Sequence, residues 1–388
     1  MGNLANTYSD LGEHRKAKEL NVTVLEKQKQ LLGDNHPDTL LTMGNLANTY
    51  SHLGEHRKGE ELNVTVLEKQ KQLLGDNHPG TLHTMGNLAS TYSDLGEHRK
   101  AEELNVSVLE KQKQLVGDNH PDILRTMGNL ARTYSDLGEH RKAEELKVTV
   151  LEKQKQLLGD NHPHTLLTMG NLATIYSDLG EHRKAEELNV TVLERRKQLL
   201  GDNHPHTLHT MSNLASIYSH LGEHQKAKEL KVTVLEKQEQ LLGDNHPHTL
   251  LTMGNLARTF SDLGEHQKAK ELNVTVLKKR KQLLGDNHPA TLYTMGGLAR
   301  TFSDLGEHQK AEELNVIVLE KQEQLLGDSH PDTLLTMGNL ARIYSDLGEH
   351  QKAKELNVTL LEKRKQFLGD NHPATLYTMS NLARTFST

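Results

Sequence analysis

The chain has no cysteine and no tryptophan among its 388 residues, and aromatic residues make up only 3% of it. Without cysteine it can form neither a disulfide framework nor a thiolate zinc site. No apolar run approaches the roughly 20 residues that a membrane-spanning helix needs, and no charged-then-apolar leader opens the sequence. These absences suit a reducing compartment, and we expect a cytoplasmic protein with no membrane partner.

The chain also lacks a strong excess of positive or negative charge. The formal net charge is −6, with basic and acidic residues mixed throughout, so no basic face favours a nucleic-acid partner. The sequence contains no Gly-rich phosphate loop, serine elbow or Cys/His pair. A catalytic group needs an asymmetric, dry pocket, whereas nearly every polar residue here recurs in equivalent copies. We therefore expect no enzymatic activity and no cofactor.

What the chain has instead is a strict period of 42 residues, which spaces every methionine from Met1 to Met379 and every proline from Pro37 to Pro373. A fixed period of this length is typical of a solenoid, in which small units stack on copies of themselves. A stack also tolerates a hydrophobic content of only 34%, because each repeat buries a thin slab. We expect one array over residues 1–388, with a partial tenth repeat at 379–388. The nine full repeats span 1–42, 43–84, 85–126, 127–168, 169–210, 211–252, 253–294, 295–336 and 337–378.

The first half of each repeat predicts a helix, called helix A, at about 37–53. Pro37 suits the first turn of a helix, and Asp34, Asn35 or His36 can cap it. Gly54 is a natural left-handed stop. Apolar residues follow a helical period within one arc of roughly 140°; they are Leu40, Met43, Leu46, Ala47, Tyr50 and Leu53.

A second helix, helix B, is predicted from Glu55 to about Leu74, where Gly75 ends it. Its apolar residues fall on two adjacent faces, which fits a helix held between its own helix A and the next one. Short connections require antiparallel hairpins. The fold class we expect is therefore all-α, an α-solenoid of antiparallel helix pairs. The two faces carry Leu62, Val66 and Leu73, and Leu67 and Leu74.

These residues resemble the tetratricopeptide repeat. Its pattern of a bulky residue, Leu–small, an aromatic, Gly and a later small residue corresponds to Met43, Leu46, Ala47, Tyr50, Gly54 and Ala101. Three features depart from that pattern: methionine replaces tryptophan, His56 replaces an aromatic, and the repeat has 42 residues. The longer repeat, with Leu-Gly-Asp-Asn-His-Pro and Asn-Leu-Ala, looks most like the kinesin light chain type and is similar to the arrays of STAND-type receptors. The resemblance implies a right-handed superhelix with a concave groove.

Variation among the repeats concentrates on one side of helix A. The positions of Leu41, Asn45, Asn48 and His52 follow i, i+4, i+7 and i+11, so they form a single line on the helix, here called the stripe. It lies about 180° from the apolar arc and should be exposed. In a superhelix of the resembled type, the stripe would line the concave groove.

At one position of the stripe almost every repeat has asparagine, and only Gly297 interrupts the series. We call equivalent positions in successive repeats a column, and this one the asparagine column. An amide offers both a donor and an acceptor, so a ladder of amides can hold the backbone of an extended peptide, and the resemblance implies this use. Alternatively, or in addition, the asparagines bond one another between adjacent helices. The members are Asn45, Asn87, Asn129, Asn171, Asn213, Asn255, Asn339 and Asn381.

The last repeats carry arginines and two extra tyrosines in the stripe: Arg258, Arg300, Arg342, Arg384, Tyr293 and Tyr377. Arginine and tyrosine are enriched at binding hot spots, and guanidinium groups suit carboxylates. We hypothesise that residues 258–384 bind an acidic or carboxylate-bearing segment. The alternative is that the arginines form i,i+4 pairs with Asp262, Asp304 and Asp346, each worth roughly 0.2–0.5 kcal/mol.

The sequence thus predicts a non-catalytic scaffold that binds a protein or extended peptide in the groove of helices A. The alternatives are a structural or designed array without a specific ligand, and a helical-repeat array that binds RNA. His204, His206 and His209 lack a zinc motif, so we expect no metal site. Met379, Leu382 and Phe386 leave an apolar end, which predicts fraying or end-to-end self-association.

Overall fold

The computed structural model describes the backbone of residues 2–117, 120–370 and 372–385, and the side chains of 4–9, 11–117, 120–367, 369–370 and 372–382. All regular structure in these ranges is helical, α1 to α19, and no strand is present. The chain divides into two compact units, residues 1–195 and 196–388. We call them the N-terminal half and the C-terminal half; the boundary falls inside α10 (His182–Leu200).

Helices A and B alternate along each half. In the N-terminal half, helices A are α1 (Gly2–Asp10), α3 (Pro37–His52), α5 (Pro79–Asp94), α7 (Pro121–Asp136) and α9 (Pro163–Asp178), and helices B are α2 (His14–Leu32), α4 (His56–Leu74), α6 (His98–Val116) and α8 (His140–Leu158), followed by α10. In the C-terminal half, helices A are α11 (Pro205–His220), α13 (Pro247–Asp262), α15 (Pro289–Asp304), α17 (Pro331–Asp346) and α19 (Pro373–Thr385), and helices B are α12 (His224–Leu242), α14 (His266–Leu284), α16 (His308–Leu326) and α18 (His350–Leu368).

The start of helix A is fixed by the His-Pro pair. In α3 the imidazole Nδ1 of His36 accepts a hydrogen bond from the backbone N–H of Asp38 at 3.2 Å, and Pro37 occupies the first turn. Of the three candidate caps, the structure therefore selects His36. A second hydrogen bond fixes the start of the helix, because the hydroxyl of Thr39 donates to the carbonyl of Gly33 at 2.9 Å. The constant histidine before each proline is a capping residue.

The core lies between successive helices. Leu25 of α2, Met43 of α3 and Val66 of α4 belong to one buried cluster and are at most 8% exposed. Helix α3 is thus packed between two helices B, and α5 and α7 are packed in the same way in their own clusters. The two buried faces predicted for helix B are confirmed at Val66 and Leu67, since Leu67 packs in the next cluster with Met85 of α5.

The end of helix B corrects one expectation. Leu73 and Leu74 were predicted to be buried, but they are 53% and 47% exposed. Helix α3 has 16 residues and α4 has 19, so at 1.5 Å per residue helix B is longer by about one turn. Its last turn therefore extends past the core and leaves an apolar pair on the surface.

Ion pairs join neighbouring repeats at the turn between helices A and B. The glutamate of this turn is constant, but its partner from the preceding helix B changes. Arg57 contacts Glu97 at 2.8 Å. Further on, where Gln225 replaces this arginine, Lys228 contacts Glu265 at 2.7 Å instead. We call this contact the cross-repeat clasp.

Candidate functional site

Packing of helix A determines which of its residues face outward. Leu40, Met43 and Leu46 are only 3–4% exposed. The stripe on the opposite side carries large side chains in the open: Leu41 and Tyr293 are both 63% exposed, and Tyr377 is 60% exposed. Each half therefore presents a line of variable side chains on successive helices A.

The asparagine column sits deeper than its neighbours. Six members are half-buried and two are exposed. Asn45 donates from Nδ2 to Oδ1 of Asn6, on the preceding helix A, at 3.4 Å, and Asn213 lies 3.4 Å from Nε2 of His209 on its own helix. Both contacts join the column to variable stripe residues. The half-buried members are Asn45, Asn87, Asn129, Asn213, Asn255 and Asn381, and the exposed ones are Asn171 and Asn339.

Stripe residues of α7 and α9 line a cleft of about 1190 Å³ in the N-terminal half, the N-terminal cleft. Helix α8, which packs between them, contributes Lys147 and the exposed pair Leu157 and Leu158. The cleft is therefore polar along the stripe and apolar where helix B ends. Its stripe residues are Arg125, Asn129, Arg132, Asp136, Leu167, Asn171, Thr174 and Asp178.

A second cleft, of about 290 Å³, lies in the C-terminal half between α13 and α17. This C-terminal cleft brings together five of the residues singled out from the sequence, on three successive helices A. Arg342 and Tyr377 are described but do not line it, and the side chain of Arg384 lies outside the described residues. The five are Asn255, Asn339, Arg258, Arg300 and Tyr293.

The arginines of the stripe only partly form the pairs predicted for them. Arg342 contacts Asp346 of its own helix at 3.8 Å, as expected for an i,i+4 pair. Arg300, however, contacts Asp262 of the preceding helix A at 3.5 Å instead of Asp304. Arg258 makes no ion pair with Asp262 among the described residues. The prediction of a uniform i,i+4 series is therefore wrong, because a long guanidinium side chain also reaches the neighbouring repeat.

Buried cations were missed by the sequence analysis. The position of helix B that Gln70 occupies in one repeat is occupied by Arg280 in a later one. Arg280 is 6% exposed and lines the C-terminal cleft. Its guanidinium donates to the carbonyl of Ala290 and the hydroxyl of Thr294, both at 2.8 Å, and burial lowers its pKa. The signal in the sequence is the difference between repeats at this position of helix B, where glutamine alternates with arginine.

The position of Asn63 differs in the same way and is lysine in two repeats. Lys231 is 8% exposed and donates to the hydroxyls of Thr259 at 2.6 Å and Ser219 at 3.2 Å. Burial lowers the pKa of Lys231 to about 8. Lys147 is equally buried, at 8% exposure, and lines the N-terminal cleft.

No group of three or more histidine, aspartate or glutamate side chains is placed to hold a metal ion in the described part of the chain. His204 instead accepts a hydrogen bond from the N–H of His206 at 3.2 Å, as a helix cap. Over the same residues, no helix combines the length and apolar content needed to cross a membrane.

Comparison with known structures found several similar proteins. The putative kinesin light chain repeats of Podospora anserina are 33% identical over 53% of this chain and 97% of that one, with a TM-score of 0.49. The apo quorum sensor NprR from B. thuringiensis is 17% identical over 83% of this chain and 87% of that one, with a TM-score of 0.63. A STAND protein with a tetratricopeptide repeat sensor from Pyrococcus horikoshii is 14% identical over 96% of this chain and 55% of that one, with a TM-score of 0.58. The last two show a shared fold.

Family models give the assignment, whereas a search of curated protein sequences found no significant match. Two models described as tetratricopeptide repeat match the chain. One covers residues 1–63 and 45–114, and the other covers 123–164, 165–206, 207–248, 249–290, 291–332 and 333–374. These matches cover far more than half of the sequence, and the chain therefore belongs to the tetratricopeptide repeat family.

Proposed function

We propose that the chain is a non-catalytic scaffold that binds extended segments of partner proteins along the stripe, and that its C-terminal half prefers acidic segments. The observation that supports this most directly is the C-terminal cleft, where stripe residues from three successive helices A line one opening. The nearly constant asparagine column can bind the backbone of any extended segment, and the variable residues beside it can select among the side chains of that segment.

The asparagines suit the backbone of an extended segment. Each residue of such a segment carries one N–H donor and one C=O acceptor that need partners, and a side-chain amide can satisfy both. Asn255 and Asn339 lie on α13 and α17 at either side of Gly297 on α15. The missing side chain at Gly297 leaves room between them for a larger residue of the bound segment.

The arginines supply the preference for acidic residues. The contact between Arg300 and Asp262 spans 3.5 Å, and the arginine side chain is 48% exposed, so it contributes only about 0–1 kcal/mol. A ligand carboxylate that binds a guanidinium in the bidentate geometry makes a stronger hydrogen-bonded pair. Tyr293, 63% exposed beside it, offers a rigid aromatic surface of the kind found at hot spots.

A peptide array tests the proposal, with each acidic peptide matched by a copy in which Asp and Glu are replaced by Asn and Gln. We expect the purified chain to bind each acidic peptide more tightly than its neutral counterpart. Arg300→Ala combined with Arg342→Ala should weaken binding of the acidic peptides by about fivefold or more, equivalent to about 1 kcal/mol. Asn255→Ala combined with Asn339→Ala should weaken binding of both copies, because backbone contacts do not depend on peptide charge.

Arg99→Gln is the matched control. It removes one exposed arginine that lies outside the stripe and pairs with Glu102 and Glu139, and glutamine already stands at this position in later repeats. Its binding should equal that of the wild type. Equal binding of acidic and neutral copies, or full binding by the double arginine variant, would contradict the acidic preference. Binding of no peptide would favour a purely structural array, and salt-dependent binding of RNA would favour the nucleic-acid alternative.

A further inference from the structure

The polar residue in the middle of helix B normally bonds to the next helix A. Asn63 Nδ2 donates to the hydroxyl of Thr91 at 3.4 Å, 28 residues further along the chain. Lys231 keeps this arrangement, because its ammonium donates to Thr259 at 2.6 Å with the same separation of 28 residues. A threonine on the following helix A is therefore the internal acceptor for this position.

Lys147 has lost that acceptor. The residue 28 positions further on is Ile175, a buried hydrocarbon side chain that is 4% exposed. Within the described residues no hydrogen-bond acceptor pairs with the Lys147 ammonium and no carboxylate lies within ion-pair distance of it. Burial lowers the pKa of Lys147, and the nearby charge of Arg132 lowers it further.

An unpaired buried ammonium is costly for the free protein. Removing an ion from water is strongly unfavourable unless hydrogen bonds and an opposite charge compensate. Asparagine at the same position, as in most other repeats, would avoid that cost. Lys147 lines the N-terminal cleft, so a bound anion could provide the missing partner.

The surroundings of Lys147 define the chemistry of such an anion. Asn129 and Asn171 line the same cleft and can donate amide hydrogens to a carboxylate. Leu157 and Leu158, which are 53% and 45% exposed, border the cleft with aliphatic surface. A carboxylate beside a short aliphatic group would satisfy both parts of the site.

We propose that Lys147 is an anion-binding residue whose ammonium pairs with one carboxylate of the protein segment bound in the N-terminal cleft, while Leu157 and Leu158 contact the adjoining aliphatic group. The nature of the occupant rests on the proposed function. The site itself is distinct from the arginines of the C-terminal half, because its cation comes from helix B. The cation is unpaired because Ile175 stands where most other repeats have threonine.

Two variants eliminate the unpaired state of the ammonium, one by removing the lysine and the other by supplying an acceptor. Lys147→Asn installs the residue that most repeats carry, and Ile175→Thr installs the hydroxyl that Lys231 finds in Thr259. Lys231→Asn is the matched control, because it removes an equally buried lysine that is already paired. Without ligand, Lys147→Asn should raise the thermal unfolding midpoint. Lowering of that midpoint would show that the ammonium is already satisfied and would overturn the proposal.

Sodium propionate and its neutral analogue propionamide are the probes for the carboxylate. A ligand that binds only the folded state raises its stability, so propionate should raise the unfolding midpoint of the wild type more than propionamide does. This difference should fall by at least half in Lys147→Asn and in Ile175→Thr, and should persist in Lys231→Asn. An equal difference in all four proteins would mean a general salt effect and no site.

The peptide array separates this inference from the proposed function. Acidic peptides that bind the wild type and Lys147→Asn equally well would overturn the role of Lys147 and leave the groove intact. A propionate effect that depends on Lys147, in a chain that binds no peptide, would show a site for free organic acids and would overturn both the peptide occupant and the proposed function. Loss of acidic-peptide binding in Lys147→Asn, with neutral copies unaffected, is the result we expect.

Discussion

Replacing Gly59 by alanine should stabilise the second full repeat. Gly59 lies in the first part of α4 and is buried against α3. The equivalent residues Ala17, Ala101 and Ala143 are each 0% exposed, so the other repeats hold a methyl group at this place. The repeat that contains Gly59 lacks that methyl and carries the most flexible residue within a helix.

The magnitude follows from two gains and one cost. Alanine is favoured over glycine by about 1 kcal/mol in a helix interior, and burial of one methyl adds about 0.8 kcal/mol. Against this, a Cβ at residue 59 would lie 3.0 Å from the carbonyl oxygen of Ala47 and 3.0 Å from the hydroxyl of Ser51. The neighbouring repeat accommodates Ala101 beside the corresponding Ala89 and Ser93, so a shift of a few tenths of an ångström should suffice. We expect a net stabilisation of about 1 kcal/mol.

Hydrogen exchange is the appropriate assay, because a repeat array need not unfold in one cooperative step. In Gly59→Ala, amides of α3 and α4 should exchange about fivefold more slowly, while those of α15 and α16 should be unchanged. Ala101→Gly is the converse control and should speed exchange in α5 and α6 by a similar factor. Faster exchange in α3 and α4 of Gly59→Ala would show that the two close contacts outweigh both gains, and would refute the reasoning.

Two further predictions concern charged residues. In α16, Gln309 and Glu312 provide no cation for a cross-repeat clasp, so Glu312→Lys should pair with Glu349 as Lys270 pairs with Glu307 at 2.8 Å, adding about 0–1 kcal/mol; thermal unfolding should show a gain at low salt that disappears at high salt, and a gain independent of salt would contradict the pairing. Burial lowers the pKa of Lys231 from 10.5 to about 8, so between these values the folded state binds fewer protons than the unfolded state, and the stability of the wild type relative to Lys231→Asn should rise from pH 8 to pH 10. Denaturant unfolding at several pH values checks this, and a difference that stays constant over that range would rule out a depressed pKa.

Much of the fold could be predicted from the sequence because each helix carries its own boundaries. Proline opened helix A and glycine closed both helices, so the predicted ranges 37–53 and 55–74 agree with Pro37–His52 and His56–Leu74 within one residue. The predicted ranges already make helix B about one turn longer than helix A, but periodicity alone could not tell that this last turn extends past the core. For that reason Leu73 and Leu74 were assigned to the core although they are exposed.

The candidate site was harder to predict than the fold. The stripe could be located from its angle to the apolar arc, and the structure places its residues along two clefts. Its charged contacts could not be predicted, because the partner of Arg300 depends on the distance between two helices A. Lys147 was missed because its importance depends on two positions together. A lysine in helix B becomes informative only when Ile175, 28 positions later, is seen to lack the hydroxyl that would accept its hydrogen bond.

The cross-repeat clasp bears on how such an array can change in length. Its acceptor, the glutamate of the turn between helices A and B, is the same in every full repeat. Its donor is an arginine such as Arg57 or a lysine such as Lys228, and the repeat of Gln309 and Glu312 lacks one. Either donor fits the glutamate of whatever repeat follows. Recombination between repeats that carry a donor can therefore insert or delete a whole repeat while the new junction keeps its ion pair, so repeat number can evolve independently of the residues that line the stripe.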